Sequence, residues 1–189
     1  MNEKVGSLTL PGPVMKEMFT KMRREIEPKW VAEYCSKFYG KYAVRYRCPL
    51  GPVPKELVEL HGLEKALRMY RPWRPEVDAL VIAKDKLILI EAKVRKVMDG
   101  LSKLPIYKML VPQTPELKVY HGWPIEMELL VVKAVEPWIT VAKNMGIRLV
   151  EWAPTWVWEI WRQRDLYWTK EAVELRERRK EVLKRLGFI

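Results

Sequence analysis

Apolar residues recur at helical spacing in the first part of the chain. One such stripe runs from Met15 through Met22 to Ile26, because side chains three or four residues apart share one face of a helix. Pro28 is expected to end or kink this helix, since proline lacks an amide hydrogen. The elements predicted before residue 76 are helices over 14–27, 29–39 and 55–70, a strand over 43–48 and a rigid, non-helical loop over 71–75. The leucines expected to face inward from the third helix are Leu57, Leu60, Leu63 and Leu67.

Two continuous apolar runs, 77–83 and 87–94, dominate the centre of the chain. The short polar segment 84–86 between them indicates a β-hairpin. Both faces of both runs are apolar, which is typical of strands in the middle of a sheet that is covered on both sides. The later elements are predicted as a helix over 100–110, a strand over 127–135, a helix over 136–146 and a strand over 147–152. The last two strands enclose a helix and are therefore expected to be parallel, which predicts an α/β domain with a mixed sheet around a central hairpin.

The end of the chain differs in composition from the rest. Residues 1–153 are predicted to form the α/β domain, and residues 154–189 a Trp-rich and then charged helical extension in the same globule. Trp156, Val157, Ile160 and Trp161 lie on one helical face, which packs either onto the domain or onto a second subunit. A homodimer is expected. Trp158 falls off that face and is expected to be exposed, and Thr169 is expected to cap the charged helix.

Composition narrows the class of protein. The chain has 189 residues, 49% of them apolar, so it can bury a core and is not disordered. Its apolar runs are too short to span a bilayer, and its N-terminus lacks the apolar region of a signal peptide. We therefore expect a soluble, cytoplasmic protein without a membrane partner. Two cysteines do not make a disulfide framework or a four-ligand zinc site by themselves, and two histidines leave little room for histidine-centred catalysis. The scarcity of Asn and Gln beside 20 Glu suggests a thermophilic source.

Charge points to a polyanionic partner. The net charge is +11, concentrated in residues 1–75 and 162–189, whereas the middle of the chain is neutral. Nucleic acid, either DNA or RNA, is the first partner that such a basic protein suggests, and an anionic membrane is the second. The basic residues Arg68, Arg71 and Arg74 alternate with the aromatic residues Tyr70 and Trp73, a pattern that can hold phosphates and stack bases. The alternatives are that the cations only solubilise the chain and that Trp73 caps the core.

Three charged residues interrupt the apolar centre. If Ala83 pairs with Lys86 across the hairpin loop, Asp78 lies directly opposite Glu91. Facing side chains on neighbouring strands lie about 4.5–5.5 Å apart at Cβ, and two carboxylates so close need a cation between them or a shared proton.

A divalent ion with oxygen ligands, most simply Mg²⁺, fits this pair. The Ala92 carbonyl is a further candidate ligand, and Lys93 is placed to orient or deprotonate a water or to stabilise charge on a phosphate. The alternative is that solvated charges end the hairpin, with Lys93 paired to Glu91.

The same residues carry a resemblance to a known family. Pro75-Glu76-Val77-Asp78, followed by Leu87-Ile88-Leu89-Ile90 and Glu91-Ala92-Lys93, resembles the signature of the PD-(D/E)XK nuclease superfamily. The resemblance covers roughly residues 14–152, although Pro75 stands three residues before Asp78 instead of directly before it. It implies a restriction-endonuclease-like core and Mg²⁺-dependent cleavage of phosphodiester bonds, in which Mn²⁺ can substitute. It also implies metal binding by Asp78 and Glu91 and a catalytic role for Lys93.

The resemblance implies further site residues on two helices. Many members carry a metal-site glutamate on the first helix, and Glu17, Glu25, Glu27 and Glu33 compete for that role. Glu17 lies early on the helix, as in related resolvase-like proteins. The helix after the hairpin often presents a Gln and a Tyr to the site, and here Lys103 and Tyr107 match that spacing. The alternatives are a solvated helix glutamate, a surface lysine and a core tyrosine.

The function expected from the sequence is metal-dependent hydrolysis of DNA. One alternative is a nucleic-acid-binding module with the same fold and no activity. Another is a peripheral membrane or scaffold protein that uses the Trp-rich basic tail.

Overall fold

The computed structural model describes residues 13–165 and 170–187, with side chains over 26–162 and 173–187. The strands are β1 (Ala43–Pro49), β2 (Glu76–Ile82), β3 (Leu87–Lys93), β4 (Ile125–Val131) and β5 (Ile147–Glu151). The helices are α1 (Pro13–Tyr39), α2 (Lys55–His61), α3 (Leu63–Tyr70), α4 (Val97–Leu110), α5 (Trp138–Asn144), α6 (Thr155–Asp165) and α7 (Lys170–Arg185). Short 3₁₀ turns cover Arg71–Trp73, Val111–Gln113 and Pro115–Tyr120.

The five strands form one mixed sheet in the order β1-β2-β3-β4-β5. The first three strands are antiparallel to one another, and β3, β4 and β5 are parallel. In the hairpin, Ile82 pairs with Leu87 and Ala79 with Ile90, which is the register that the short loop predicts. The predicted α/β class, with its central hairpin, flanking helices and C-terminal helical segment, is confirmed.

Two apolar layers cover the sheet, one on each face. On one face, α4 contributes Leu104 to a core that includes Leu89 of β3 and Leu129 of β4. On the other face, α1 contributes Trp30, which packs with Ile90 and their neighbours. All seven residues of β3 are buried, because this strand lies in the middle of the sheet under both layers. Any charged side chain on β3 is therefore placed at an energetic cost and needs compensating partners.

The helix α1 runs without a break from Pro13 to Tyr39, so Pro28 does not end it. Pro28 itself is exposed. The core partners Trp30, Val31 and Tyr34 follow directly after it and are buried against the sheet. Packing of the helix on the sheet outweighs the hydrogen bond that proline removes, since tertiary contacts supply most of the stability of helices in proteins.

The predicted helix over 55–70 is two helices, α2 and α3, divided at Gly62. Gly62 has a φ of 75°, a left-handed conformation that glycine adopts readily. The break changes the phase of the helix, so Leu60 is 75% exposed and Leu63 is 47% exposed. The prediction that both face inward is wrong, and Ala66 is the residue that α3 buries.

The prediction that the segment 71–75 is non-helical is wrong in part, since Arg71–Trp73 forms a 3₁₀ turn. Pro72 is compatible with this turn because its fixed φ suits the first positions of a helix. Trp73 is 70% exposed, which excludes the alternative that it caps the core.

The helix α6 packs on the α1 side of the sheet. Val157 is fully buried in that core, and Trp156 donates a hydrogen bond from Nε1 to Glu33. Trp158 was expected to be exposed, but it is half-buried and forms a T-shaped pair with Trp161, their ring centroids 5.5 Å apart. The predicted cap Thr169 lies outside the described residues, and the division at residue 153 stays a prediction. Within the described ranges, no helix is long and apolar enough to cross a membrane.

Candidate active site

Asp78 lies where β2 and β3 separate. The ladder between the two strands ends with the pair Ala79 and Ile90, and the next step of that register sets Asp78 opposite Glu91. The Asp78 carboxylate accepts a hydrogen bond at Oδ2 from the backbone N–H of Ala92, at 2.9 Å. A side-chain oxygen thus satisfies an amide of β3 at the point where the strands part.

Glu91 and Lys93 lie at the carboxyl end of β3, where both are buried. The Lys93 Nζ is 3.0 Å from Glu91 Oε1 and donates to the carbonyl oxygen of Ala92 at 2.9 Å. It is also 3.3 Å from Oε2 of Glu27 on α1. The ammonium therefore lies among three oxygens that come from both β3 and the helix beneath it.

Glu91 is the most buried acid of this cluster, with 1% of its surface exposed. Its Oε1 is approached by Lys93 and, at 3.4 Å, by Nζ of Lys103 from α4. Its Oε2 is buried and has no hydrogen-bond partner among the described residues. A buried carboxylate oxygen without a hydrogen-bond donor is unusual, because no hydrogen bond offsets the free-energy cost of its desolvation.

The cluster changes the pKa of its members. Burial, and then the neighbouring charge of Glu91, raise the pKa of Asp78 to about 7, although the Ala92 amide and Lys93 oppose this. Burial alone would lower the pKa of Lys93, but the carboxylates of Glu91, Glu27 and Asp78 raise it overall. The site therefore holds Lys93 as an ammonium ion next to an acid that titrates near neutral pH.

The helix α4 approaches the site closely at Gly100. A Cβ at this position would overlap Leu129 of β4 and would come within 3.2 Å of Cγ of Lys93. Glycine thus allows the close packing of α4 on β3 and β4. This packing brings Lys103, on the next turn of α4, into reach of Glu91.

The site opens into a cavity of about 230 Å³. The side chains that line it are Glu27, Lys93, Arg95, Lys96, Asp99 and Lys103. Four of these six are cationic and two, Glu27 and Asp99, are acidic, so the mouth of the site is basic on balance. An anionic ligand is favoured at this opening.

The helix-1 glutamates lie in different surroundings. Glu27 reaches Lys93, whereas Glu33 accepts the Trp156 indole N–H and faces α6. Because α1 continues past Pro28, Glu27 lies on the same helical face as Trp30, which packs against the sheet. This face directs the Glu27 side chain towards the site. The side chains of Glu17 and Glu25 lie outside the described residues, so Glu17 stays a prediction. The interpretation of Pro28 as a helix end obscured the stronger position of Glu27.

Tyr107 lies beside the cluster but is engaged elsewhere. Its hydroxyl donates to the carbonyl oxygen of Glu76 at 3.1 Å, and its ring is buried. Burial, followed by the charges of Glu91 and Asp78, raises the pKa of Tyr107. Tyr107 is therefore a neutral hydroxyl that ties α4 to the start of β2.

The predicted nucleic-acid-binding residues divide into two groups. Arg71 donates from Nε to Oε1 of Glu76 at 3.1 Å, and Arg68 pairs with Glu64 on the surface of α3. Both arginines and Trp73 are exposed. Arg47 of β1, which the sequence analysis did not single out, pairs with the other oxygen of Glu76 at 3.1 Å.

Arg74 does not fit the predicted role. It is 5% exposed, and its two terminal nitrogens bind Glu116 at 2.7 and 2.9 Å. One of them also donates to the carbonyl of Pro49. Arg74 is a buried structural cation that holds the 3₁₀ segment over 115–120 to the end of β1, and it is not positioned to meet a phosphate.

Sequence reasoning also missed a buried acid on β4. Glu128 is fully buried under α1, where it accepts hydrogen bonds from the hydroxyls of Tyr34 and Tyr39 and pairs with Arg148 of β5. The only signal in the sequence was an acid within the apolar strand. This network fastens the second half of α1 to the sheet.

In the described ranges, no three His, Cys, Asp or Glu side chains converge closely enough to hold a metal ion by themselves. The charge of Glu91 acts on Asp78 more strongly than that of Glu27, and the Glu27 carboxylate is held by Lys93. Any cation bound here would keep water or backbone oxygen among its ligands.

Comparisons with known proteins give distant likenesses. Neither a protein-family model nor a curated protein matches the sequence. Among solved structures, the chain is similar to a repair endonuclease from Pyrococcus abyssi, with 17% identity, a TM-score of 0.41, and 67% of this chain and 46% of that chain covered. It is also similar to protein VC1899 from Vibrio cholerae, with 24% identity, a TM-score of 0.31, and 41% and 19% covered. The chain spans less than half the length of both proteins.

Proposed function

We propose that the protein is a metal-dependent nuclease that hydrolyses phosphodiester bonds of DNA. The observation that carries the proposal is the convergence of Asp78, Glu91 and Lys93 where β2 and β3 separate. Elsewhere β3 is apolar, and burial of these charges is costly unless they serve a bound group. The arrangement also agrees with the PD-(D/E)XK resemblance of the sequence.

The donor set fits a hard divalent cation. Asp78 and Glu91 supply carboxylate oxygens, Ala92 supplies a carbonyl, and the buried Oε2 of Glu91 has no hydrogen-bond donor within the part of the chain that the structure describes. Mg²⁺ retains several waters and is often held by one or two carboxylates, so two acids are sufficient. Mn²⁺ accepts the same oxygen ligands. When bound, such an ion supplies Lewis acidity and lowers the pKa of a coordinated water.

Lys93 acts in this proposal as a cationic hydrogen-bond donor. Its neighbouring carboxylates keep it protonated, so it is suited to orient a water or to stabilise negative charge that grows on a phosphate, and not to remove a proton. Lys103 lies across the same opening and is suited to contact the scissile phosphate. Glu27, which holds the Lys93 ammonium from the opposite side, acts as a positioning residue.

The basic mouth of the site supports an anionic substrate. Four cations line the opening, and the whole chain carries a net charge of +11. Phosphate contacts of this kind supply most of the sequence-independent affinity for DNA. The proposed partner is therefore DNA, bound across the carboxyl end of β3.

A digestion panel tests this function directly. Linear, circular, branched and single-stranded DNA would be incubated with Mg²⁺, with Mn²⁺ and with EDTA, using the wild type and Glu91→Gln. We expect at least one substrate to be cut with a divalent ion only, and Glu91→Gln to be inactive on it. Cleavage that persists in EDTA, or an inert wild type across the whole panel, would contradict the proposal.

A non-catalytic nucleic-acid-binding module is the second candidate. It is favoured by the small number of ligands, since in the described ranges no three acids converge on a metal position and Lys93 pairs with both Glu91 and Glu27. An inert wild type that still binds DNA in a salt-dependent way would support this candidate over the nuclease.

A further inference from the structure

A second basic groove lies beside the candidate active site. It has a volume of about 510 Å³, and its lining residues are Arg47, Arg68, Arg71, Pro72, Arg74 and Glu76. Arg74 is buried and its guanidinium is held by Glu116. Arg47, Arg68 and Arg71 also pair with acids, but they lie on the surface, where their remaining N–H donors can be reached.

A flat aromatic surface borders this groove. Tyr70 and Trp73 stack with ring centroids 5.8 Å apart and an interplanar angle of 21°. Trp73 is 70% exposed, whereas a tryptophan in a monomeric protein is usually largely buried. Stacking on Tyr70 holds the indole in one orientation, which leaves much of its surface open to a further ring.

The arginines are arranged around one acid. Glu76 accepts from Nε of Arg71 through Oε1 and from Nε of Arg47 through Oε2, each at 3.1 Å. The Arg71 Nη2 also donates to the Arg47 carbonyl. Each guanidinium carries five N–H donors in a fixed plane, so both retain donors for a phosphate after these bonds are made.

The backbone at Arg47 is unusual. Arg47 has a φ of 48°, and among the described residues it is the one non-glycine residue with a positive φ. Such a conformation is costly for a residue with a Cβ and occurs preferentially at functional sites. In the register of β1 with β2, Tyr46 pairs with Ala79 and Cys48 with Val77, so Arg47 falls beside Asp78.

The groove and the candidate active site are therefore neighbours. Glu76 precedes Asp78 by two residues on β2, a distance of about 7 Å along a strand. That distance equals the rise of about two stacked nucleotides of a DNA strand. One strand of DNA is long enough to occupy both places.

We propose that this groove binds unpaired nucleotides, with a base stacked on Trp73 and phosphates held by Arg47, Arg68 and Arg71. An exposed indole gains most from a base whose face is not covered by its neighbour, and a continuous duplex buries those faces. The arginines supply the matching charge for the backbone. The further statement that the bound strand continues into the cluster of Asp78 and Glu91 rests on the proposed nuclease function.

Binding in EDTA tests the groove without any cleavage. A labelled oligothymidine and a duplex of the same length would be titrated with wild type, Trp73→Ala and Trp73→Phe. Because stacking on an aromatic side chain contributes about 1–3 kcal/mol per base, we expect Trp73→Ala to weaken single-strand binding by about 5- to 150-fold. Trp73→Phe should recover most of the loss, and duplex binding should change little.

Two control variants separate stacking and charge at the groove from general effects. Phe38→Ala removes another half-exposed ring that contacts aromatic neighbours, far along α1. Arg178→Ala removes an exposed cation on α7. We expect neither to change the preference for the single strand, whereas Arg71→Ala should weaken binding and reduce its salt dependence.

The outcomes are distinguishable from those of the nuclease test. Single-strand binding that is lost in Trp73→Ala supports the groove even if the wild type cleaves no DNA. Equal single-strand binding by the wild type and Trp73→Ala overturns the groove proposal, even if the wild type is an active nuclease. A loss that is as large for the duplex, or as large in Phe38→Ala, overturns it as well.

Discussion

The Asp78 side chain accepts a structural hydrogen bond, but its negative charge is unfavourable at this buried position. Its carboxylate accepts the Ala92 amide while it faces the buried Glu91. The hydrogen bond and Lys93 favour the ionised form, but burial and Glu91 outweigh them. In the absence of a metal ion, and at a pH between the pKa of Asp78 in the unfolded chain and its raised pKa in the folded protein, only the folded protein keeps a proton on Asp78.

The pH dependence of stability follows from this difference. The pKa of Asp78 is raised to about 7 in the folded protein, against about 3.9 when unfolded. Between these values the folded state binds more protons, so the free energy of unfolding falls as pH rises and the loss is complete above about pH 7. Melting temperatures in EDTA should therefore decrease from about pH 5 to about pH 8, and Asp78→Asn should flatten the decrease. Asp85→Asn, in the exposed hairpin loop, is the control, and an Asp78→Asn slope equal to that of the wild type would refute the assignment.

Arg47 allows a test of backbone strain. Arg47→Gly and Arg47→Ala both remove the ion pair with Glu76, but only alanine keeps a Cβ at a φ of 48°. We expect the glycine variant to be the more stable by about 1 kcal/mol, measured by urea denaturation. At Arg45, an exposed position of the same strand, the order should invert because glycine weakens a strand. An alanine variant more stable than the glycine variant at both positions would show that Arg47 is not strained.

At the level of single residues, the sequence predicts the pair of acids in the site but not the partners of the surrounding charges. The hairpin loop length determines the register, so the juxtaposition of Asp78 and Glu91 follows from counting residues. The burial of Arg74 does not follow, because it depends on Glu116, which is 42 residues away. Glu27 and Arg47 could not be selected as site residues from the sequence either, because their partners lie on other elements.

Among the elements, α1 and α4 bring the two sides of the site together. The hydroxyls of Tyr34 and Tyr39 bind Glu128 and fasten α1 to the sheet, which positions Glu27 earlier on the same helix. From the other face, Gly100 lets α4 approach Lys93. The site depends on both contacts because its charges come from both layers.

Gly100→Ala tests the close approach of α4. The added methyl group would overlap Leu129 and press on Lys93, and overpacking of this kind costs about 1–3 kcal/mol. We expect a lower free energy of unfolding in urea, together with slower DNA cleavage if Lys93 acts as proposed. Ser102→Ala, at an exposed position of α4, should change stability by less than about 0.5 kcal/mol. A Gly100→Ala protein as stable as the wild type would mean that α4 does not need this contact.

Element boundaries were predictable only where local signals agree with tertiary packing. Pro28 is a strong local signal for the end of a helix, yet α1 continues because its next two turns are buried against the sheet. The continuous leucine pattern over 55–70 suggested one helix, but the chain turns at Gly62. Contacts distant in sequence decided the first outcome, and the backbone conformation of a single glycine decided the second.

For the whole molecule, the apolar pattern was sufficient to predict the α/β class, the central hairpin and the parallel strands at one side. Strands buried on both faces require a helical layer on each side, and the chain supplies helices on both sides of the hairpin. The role of the C-terminal extension was not predictable in the same way, because α7 is mostly exposed where its side chains are described. A homodimer stays a prediction.

Divalent ions should stabilise the whole fold if the two acids bind one. A ligand that binds only the folded state raises the melting temperature by mass action. We expect millimolar Mg²⁺ or Mn²⁺ to raise the melting temperature of the wild type, and the rise to be much smaller in Asp78→Asn. Asp99→Asn removes an exposed acid at the mouth of the same cavity and should keep most of the response. A wild type whose melting temperature ignores both ions would speak against the metal site.

Single-turnover cleavage by Lys93→Ala tests the central claim most directly. The variant removes the proposed charge-stabilising group and leaves Asp78, Glu91 and the basic surfaces in place. We expect the cleavage rate to fall by a factor on the order of 10² or more, while DNA binding in EDTA changes little because many dispersed contacts supply it. Lys84→Ala, an exposed lysine at the opposite end of β3, should cleave like the wild type. Wild-type cleavage by Lys93→Ala would contradict the proposed site.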